Sequence, residues 1–291
     1  MILAIVGPTG VGKTTLSIAL AKHYHAVIIN FDSMQVYKQL DIGTAKVTQE
    51  EQEGIPHYLL SFVPLDRNYT VYDYQQDARK LIDKFLEEKK NIILVGGTGL
   101  YLKATLYNYE FTKNTKEKEY EELTNEEILA KIKSYQVDTY PHVNNRRRLV
   151  RLLNKLEQDE IISNKGNEPL YNFTIIGLTL SRDVLYQRIN NRVEKMFDDG
   201  LLEEVSSVKE YFTISKALNT GIGYKEFRPF FEHKITLDEV KEQIKKNSRH
   251  YAKRQYTFFN HQFSTNWFSV DLQNFSKTIQ EVITFIDKNG E

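Results

Sequence analysis

Eight residues near the start of the chain combine glycines, a lysine and a threonine at a spacing that can bind phosphate. They read Gly7-Pro8-Thr9-Gly10-Val11-Gly12-Lys13-Thr14 and match G-x-x-x-x-G-K-[S/T], the phosphate-binding loop. In such a loop the glycines let backbone N–H groups turn toward an anion, the following helix N-terminus adds positive potential, and the lysine adds a full charge. The Thr14 hydroxyl is placed to hold Mg²⁺. We predict that this loop binds the phosphate or diphosphate of a ligand.

The elements around the loop predict where its ligand lies. An apolar run at 2–6 predicts a buried strand before the loop, and an apolar-periodic helix follows it. A second apolar run, 26–31, ends at Asp32. This order begins a doubly wound α/β sheet, in which ligands gather at the carboxyl ends of the strands. Asp32 is therefore expected to face whatever the loop holds, the alternative being a turn or helix-cap residue.

The next predicted strand, 91–95, ends in the glycine-rich stretch 96–101. An ATPase or GTPase usually carries an acidic residue at this strand tip, to hold magnesium or orient water. Here two glycines and Thr98 occupy the place. Thr98 either faces the ligand or caps the following helix. The stretch favours a ligand that meets backbone and hydroxyl groups there, rather than a carboxylate.

Two more predicted strands, 173–180 and 267–272, complete the sheet, and three Thr-x-x-acid patterns mark helix starts at Thr70, Thr124 and Thr236. The predicted fold class is α/β: a P-loop NTPase-like parallel sheet flanked by helices, with a mainly helical insertion domain. We place the core at 1–106 and 145–291. The insertion is placed at 107–144, and parts of 185–235 are candidates for the same domain.

Bulk composition excludes several classes of site. The chain has no cysteine, so it has neither disulfides nor thiolate metal sites, and its seven histidines lack metal-ligand spacing. No apolar run approaches the ~18 residues of a membrane span, so we expect a cytoplasmic protein without a membrane partner. The 39 basic and 39 acidic residues cancel. A nucleic-acid partner would therefore have to bind local basic patches.

Two basic patches stand out. Four arginines fall within six residues, at Arg146, Arg147, Arg148 and Arg151. On the long helix that begins after Thr236, a row of basic residues at i, i+4 spacing is followed by a second row: Lys241, Lys245, Arg249 and Lys253, then Lys246, His250 and Arg254. Each patch is either an RNA-binding surface or a solvated helix face.

Taken together, these motifs resemble the tRNA dimethylallyltransferase family, the bacterial tRNA isopentenyl transferases. The resemblance covers nearly the whole chain. Besides the phosphate loop, it rests on Asp32-Ser33-Met34-Gln35-Val36-Tyr37-Lys38, on Met196, and on the stretches 41–46, 54–57, 96–101, 148–151, 200–205, 222–226 and 251–255.

The resemblance implies an activity and a set of roles. Dimethylallyl diphosphate would donate its five-carbon group to N6 of adenosine 37 in a tRNA anticodon stem-loop, with Mg²⁺ required and the loop holding the diphosphate. We expect Asp32 to act as general base and Thr98 to assist at the reacting centre. The expected tRNA contacts are Asp32, Ser33, Met34, Gln35, Thr98, Arg147, Arg148 and Arg151. Of these, Asp32 to Gln35 would read the flipped adenine. We expect a monomer.

Three other functions remain open from the residues alone. An ATP-dependent small-molecule kinase would share the loop and sheet, but we expect it to show a second acidic group near Asp32 or an arginine that clamps the nucleotide. An adenylate isopentenyltransferase would perform the same chemistry on free AMP or ATP, and the basic patches favour a larger acceptor. A GTPase switch or non-catalytic RNA-binding module is the third; the chain has no N-K-x-D guanine-reading segment.

Overall fold

One parallel sheet of six strands organises the larger part of the molecule. The computed structural model describes residues 1–111, 118–137, 140–157 and 167–289. The strands are β1 Ile2–Val6, β2 Ala26–Asn30, β3 His57–Tyr58, β4 Asn91–Val95, β5 Thr174–Thr179 and β6 Asn266–Ser269. Their order is β3-β2-β4-β1-β5-β6, and each neighbouring pair is parallel. The predicted α/β class with a parallel sheet flanked by helices is confirmed.

The helices of the described residues follow in chain order. They are α1 Lys13–Tyr24, α2 Val71–Glu87, α3 Gly99–Leu106, α4 Asn125–Ser134, α5 Arg146–Glu157, α6 Arg182–Asp198, α7 Leu201–Ser207, α8 Lys216–Thr220, α9 Arg228–Phe231, α10 Leu237–Gln262 and α11 Phe275–Asn289. Short 3₁₀ turns lie at Lys209–Thr213 and Lys225–Phe227. In the described ranges, no helix has both the length and the apolar character needed to cross a membrane.

Alternation along the central strand divides the core into two layers. Leu3 and Ile5 of β1 face a cluster that includes α1 and α11, whereas Ala4 and Val6 face the opposite cluster, to which α2, α3 and α10 contribute. All five residues of β1 are buried, because a central parallel strand is covered on both faces. Because β1, β2 and β4 run parallel, their carboxyl ends lie at the same edge of the sheet, where the phosphate loop follows β1.

The structure confirms the predicted helix starts but contains one strand that the sequence does not predict. Reciprocal capping boxes form at Thr70, Thr124 and Thr236, as predicted. Strand β3 lies inside 34–68, a stretch without any clear period that predicts a loop. It has only two residues, paired to Ile28 and Ile29 of β2, so no period can develop in the sequence.

The chain divides into two compact units, one of residues 1–107 with 169–291 and one of residues 108–168. The second unit is mainly helical but extends beyond the predicted boundary at 144. Its core explains why: Leu149 and Leu153 of α5 pack with Ile128 and Ile132 of α4. The prediction that the core resumes at 145, which placed α5 in it, was therefore wrong. The parts of 185–235 that were candidates for the insertion belong instead to the first unit.

Candidate active site

The loop between β1 and α1 adopts a conformation that its glycines make possible. Gly7 and Gly12 have φ angles of 139° and 106°, in the left-handed region that side chains disfavour. Space is restricted as well: a Cβ at Gly7 would lie 2.7 Å from the Leu178 carbonyl oxygen, and one at Gly12 would lie 2.8 Å from the Phe275 ring. The loop can therefore turn tightly from β1 into α1, which begins at Lys13.

Lys13 folds back over the loop. Its Nζ donates to the carbonyl oxygens of Gly7 at 3.0 Å and Pro8 at 2.9 Å. The pKa of Lys13 is lowered to about 7, mainly by burial and also by the nearby positive charge of Arg192, while the negative charge of Asp32 opposes the shift. A buried ammonium group without a full counter-charge favours the binding of an anionic ligand, because the anion supplies the missing negative charge.

Two arginines of α6 reach the same loop. Arg192 donates from Nη1 to Thr9 Oγ1 at 2.7 Å and from Nη2 to the Thr44 carbonyl at 3.1 Å. Its Nε is buried and has no partner among the described residues, and burial lowers the pKa of its guanidinium. Arg188 donates from Nε to the Gly10 carbonyl at 2.9 Å. Guanidinium forks are well suited to phosphate oxygens, so α6 adds two cationic groups of a suitable type beside the loop.

Neither arginine is among the site residues that the sequence predicts. The sequence signal for them is weak: two arginines at i, i+4 spacing on the helix that follows the predicted strand 173–180. A kinase is expected to show a second acidic group near Asp32 or an arginine that clamps the nucleotide. Arg188 and Arg192 lie at the phosphate loop, so the presence of an arginine there does not distinguish a kinase from the other functions.

Asp32 lies at the carboxyl end of β2 with its two oxygens in different settings. Oδ1 accepts the backbone N–H groups of Met34 at 2.9 Å and Gln35 at 3.4 Å. Within the described ranges no group donates to Oδ2, which lies on the side of Gly97: a Cβ there would be 3.4 Å from it. One oxygen therefore fixes the side chain, and the other is available to accept a proton.

Thr98 is beside Asp32, on the neighbouring strand end. Its Oγ1 accepts the Ser33 backbone N–H at 3.0 Å and lies 3.1 Å from the Ser33 hydroxyl, to which it donates. Although Thr98 occupies the N-cap position of α3, its side chain makes no capping hydrogen bond. The hydroxyl thus ties the tip of β4 to the tip of β2.

Helix α10 also contributes side chains to the site. Gln255 is 4% exposed; its Oε1 accepts the Thr9 backbone N–H at 3.0 Å and its Nε2 donates to the Gly97 carbonyl at 3.0 Å. The Tyr251 hydroxyl donates to the same carbonyl at 3.1 Å. One buried amide therefore fixes the spacing between the phosphate loop and the glycine-rich stretch. Both residues fall in the stretch 251–255, but sequence alone gives no reason to place them here.

Two adjoining cavities meet at these residues. The phosphate-loop cavity contains Lys13, Thr14, Arg188 and Gln255 on its walls. The second, here called the side chamber, has an aliphatic wall formed by Met34, Ile189, Val193, Met196, Ile222 and Ile244. Both cavities are lined by Thr9, Asp32, Thr44, Arg192, Met196 and Tyr251. Asp32 thus lies where a cavity lined by cationic side chains adjoins a partly apolar one.

The donor set of the phosphate-loop cavity fits a magnesium ion held mainly by a substrate. Thr14 has an exposed side chain on the cavity wall, beside Lys13. The described residues contain no group of three or more His, Asp or Glu side chains that could hold a metal ion. Mg²⁺ commonly keeps several waters and binds through one or two protein groups plus phosphate oxygens. The Thr14 hydroxyl could therefore be the protein's one ligand to a magnesium ion that a phosphate-containing substrate carries.

The remaining predicted contacts lie in several places. Met34 and Gln35 line the cavities, and Gln35 Nε2 donates to the Thr44 carbonyl at 3.2 Å. Arg147, Arg148 and Arg151 are exposed on α5 in the second unit. Their neighbour Arg146 has a structural role, because its guanidinium donates to the carbonyls of Leu123 at 2.8 Å and Tyr120 at 2.6 Å.

The basic rows of α10 are only partly available to a ligand. Lys241 and Lys245 pair with Glu194 of α6 at 2.8 and 2.5 Å, and Arg249 donates to Asn190 of the same helix. Lys253 is exposed. Arg254 lines the side chamber, with its guanidinium 5.7 Å from the Tyr251 ring centre. The first row is thus mainly a helix–helix contact.

Comparison with known proteins agrees with this architecture. A family model described as IPP transferase matches residues 35–262. A protein of Anoxybacillus flavithermus named tRNA dimethylallyltransferase is 41% identical over 300 residues, covering 98% of this chain and 96% of its own.

Solved structures give the same result. A crystal structure of a tRNA delta(2)-isopentenylpyrophosphate transferase from Staphylococcus epidermidis has a TM-score of 0.76 and 37% identity, covering 99% of this chain and 98% of that one. A eukaryotic dimethylallyltransferase described as acting on tRNA has a TM-score of 0.79 and 26% identity, covering 99% of this chain and 78% of that one. The chain is therefore an enzyme that belongs to the IPP transferase family, the family of the tRNA dimethylallyltransferases.

Proposed function

We propose that this chain transfers the dimethylallyl group of dimethylallyl diphosphate to N6 of adenosine 37 in tRNA, releasing diphosphate. The observation that carries the proposal is the place of Asp32. Asp32 lines both the phosphate-loop cavity and the side chamber, so a proton acceptor lies between a space for a diphosphate and a space for an apolar group or a base. The names of the relatives support tRNA as the acceptor.

In this reaction the N6 lone pair forms a bond to C1 of the dimethylallyl group. The C1–O bond breaks, and its electron pair leaves with the diphosphate. The proton lost from N6 passes to Asp32 Oδ2. An exocyclic adenine nitrogen is a weak nucleophile, since its lone pair is delocalised into the ring. A positioned base typically contributes a factor of ~10²–10⁴ to such a step.

The leaving diphosphate is stabilised by groups that already line its cavity. Lys13, Arg188 and Arg192 surround the phosphate loop, and their charges oppose the negative charge that grows on the leaving oxygen. Mg²⁺ held at the Thr14 hydroxyl and the diphosphate would supply further charge stabilisation. Thr98 keeps the tip of β2 in place through Ser33, and on this proposal it lies beside the reacting centre.

The acceptor base has to leave its stack to reach Asp32. Such flipping costs a few kcal/mol and is easiest for a base that is already strained or unpaired, as in an anticodon loop. We assign Ser33, Met34 and Gln35 to reading the flipped adenine. The exposed arginines of α5, Arg147, Arg148 and Arg151, are assigned to the anticodon arm because phosphate contacts fix position without reading sequence.

A transfer assay with three acceptors tests the proposal. The protein is incubated with Mg²⁺ and dimethylallyl diphosphate labelled in its five-carbon group, and tRNA, AMP or ATP is offered in separate reactions. We expect label in tRNA alone, and none in a tRNA whose adenosine 37 is replaced by guanosine. Label in AMP or ATP would instead identify an adenylate prenyltransferase. ATP hydrolysis without label transfer would reject the proposal.

A further inference from the structure

A turn between β2 and β3 is held by one carboxylate from a distant helix. Glu204 of α7 accepts the backbone N–H groups of Asp41 at 2.9 Å and Ile42 at 2.7 Å through Oε2. Through Oε1 it accepts the N–H of Gly43 at 3.1 Å and the hydroxyl of Tyr224 at 2.7 Å. Four donors therefore converge on this one carboxylate.

The turn is closed by backbone hydrogen bonds of its own, from Ala45 N–H to the Ile42 carbonyl and from Lys46 N–H to the Asp41 carbonyl, but Glu204 is the acceptor for its three successive N–H groups. Gln39 and Ala45, which flank it, have φ angles of 65° and 43°, a conformation that residues with side chains adopt uncommonly. Three successive N–H groups directed at one point would repel one another without an anion between them. Glu204 therefore supplies what the local sequence lacks.

Tyr224 closes the arrangement from the other side. Burial raises its pKa well above the usual value, and the negative charge of Glu204 adds to the shift, so the hydroxyl keeps its proton and donates. Its ring lies so close to Gly43 that a Cβ there would be 2.6 Å from Tyr224 Cζ. Buried Glu226 accepts the Gly223 N–H at 2.9 Å and the Asn247 side chain at 2.7 Å, which ties this segment to α10.

The next residue of the turn touches the site. The Thr44 carbonyl accepts Nη2 of Arg192 at 3.1 Å, while Nη1 of the same guanidinium donates to Thr9 of the phosphate loop. Since Arg192 Nε has no partner among the described residues, these two contacts are its restraints. The carbonyl that orients Arg192 also accepts Gln35 Nε2 at 3.2 Å, and its backbone continues directly from the turn that Glu204 holds.

We propose that Glu204 is a positioning residue of the diphosphate site, acting through the 41–43 turn and the Thr44 carbonyl on Arg192. The inference rests on the proposed function only in taking a diphosphate as the ligand of the phosphate loop. Glu204 itself is not among the residues that line either cavity. Its effect on the ligand is therefore expected to depend on Arg192 being present.

A double-mutant cycle tests this dependence. The full-length protein and its Glu204→Gln, Arg192→Gln and doubly substituted forms are titrated calorimetrically with dimethylallyl diphosphate and, separately, inorganic diphosphate. A glutamine places an NH₂ group against at least one of the N–H donors, so we expect Glu204→Gln to weaken binding about tenfold in the presence of Arg192. In the Arg192→Gln background we expect less than about a twofold further effect, because coupled residues are not additive.

Two further variants keep the result interpretable. Glu203→Gln changes an exposed neighbour on the same helix and should bind both ligands like the parent protein. If Glu204→Gln does not fold, Tyr224→Phe removes one of the four donors, and its smaller loss of affinity should likewise vanish in the Arg192→Gln background. Equal losses with and without Arg192, or parent-like affinity in folded Glu204→Gln, would overturn the inference. A parent protein that binds inorganic diphosphate but fails the transfer assay would refute the proposed function alone.

Discussion

The division of labour between the two oxygens of Asp32 makes a clean substitution possible. In Asp32→Asn the side-chain oxygen can still accept the N–H groups of Met34 and Gln35, so the turn should survive, whereas the proton acceptor is removed. We expect kcat for transfer to tRNA to fall by ~10²–10⁴, the usual contribution of a general base, with the dissociation constant of dimethylallyl diphosphate changed less than about threefold. Single-turnover transfer and calorimetric titration measure the two quantities.

Asp199→Asn is a matched control for that substitution. Asp199 lies on the wall of the same cavity, but its carboxylate pairs with Lys195 at 2.9 Å and is 46% exposed. We expect turnover close to that of the parent protein. If Asp32→Asn turns over as fast as Asp199→Asn, Asp32 is not the base.

Gln255 offers a second test at the same scale. Gln255→Glu removes the donor to the Gly97 carbonyl and puts a carboxylate beside the leaving diphosphate. An unsatisfied buried group costs about 1–3 kcal/mol, so the free energy of unfolding in urea should fall by about that amount, and the diphosphate donor should bind more weakly. The exposed Gln243→Glu on the same helix should change neither. Unchanged donor affinity in a folded Gln255→Glu protein would mean that Gln255 has no role in placing the loop.

These residues also show what sequence can and cannot locate. The phosphate loop and Asp32 are recognisable because the chemistry is local: a motif, and a strand end two elements later. Gln255 contacts Thr9 across 246 positions of sequence, and Arg192 contacts it across 183. No local pattern encodes such a meeting. It depends on how α6 and α10 pack over the sheet.

At the level of elements, periodicity predicts which residues share a face, but not what covers that face. The first basic row of α10 is a candidate RNA surface by sequence, and its spacing is right. In the structure α6 lies against it, and Glu194 accepts both Lys241 and Lys245. The capping boxes are predictable for the opposite reason, since both partners lie within four residues of each other.

The two basic patches should therefore respond differently to substitution. Replacing Arg147, Arg148 and Arg151 together with glutamine should weaken tRNA binding and reduce the slope of log K against log salt by roughly 0.7–0.9 for each phosphate that an arginine no longer neutralises. The affinity for dimethylallyl diphosphate should not change. Filter binding of tRNA over a range of salt concentrations measures the slope.

Lys245→Gln on α10 is the contrasting variant. It should lower the free energy of unfolding by up to about 1 kcal/mol, the range of partly exposed ion pairs, without changing the salt slope of tRNA binding. If instead Lys245→Gln reduces the slope and the three arginine changes do not, the assignment of the two patches is reversed.

At the scale of the whole molecule, the two chain segments that connect the first unit to the second lie side by side. Tyr107 and Pro169 form an isolated antiparallel bridge, and the Leu170 N–H donates to the Leu106 carbonyl at 2.8 Å. Sequence composition marks where this unit begins, at a change from core strand and helix to charged residues. Its end is harder to predict, because the arginine-rich start of α5 looks like a surface helix of either unit. Only the packing of Leu149 and Leu153 against α4 decides the matter.

The closeness of those two connections makes the role of the second unit directly testable. Replacing 109–167 with a short glycine-serine linker would join positions that already lie side by side, so closing the shorter loop adds little entropic cost. Among the residues that the structure describes, the hydrophobic clusters on both faces of the sheet contain none from the deleted range, and we expect a cooperative unfolding transition. The phosphate loop, Asp32, Arg192 and Gln255 are all retained. Dimethylallyl diphosphate should therefore bind within about threefold of the parent affinity, whereas tRNA affinity should fall by about tenfold or more because the arginines of α5 are absent.

Transfer to tRNA with parent kcat/KM would contradict the assignment of tRNA binding to this unit. A loss of donor binding in the folded, shortened protein would mean that the second unit also shapes the diphosphate site.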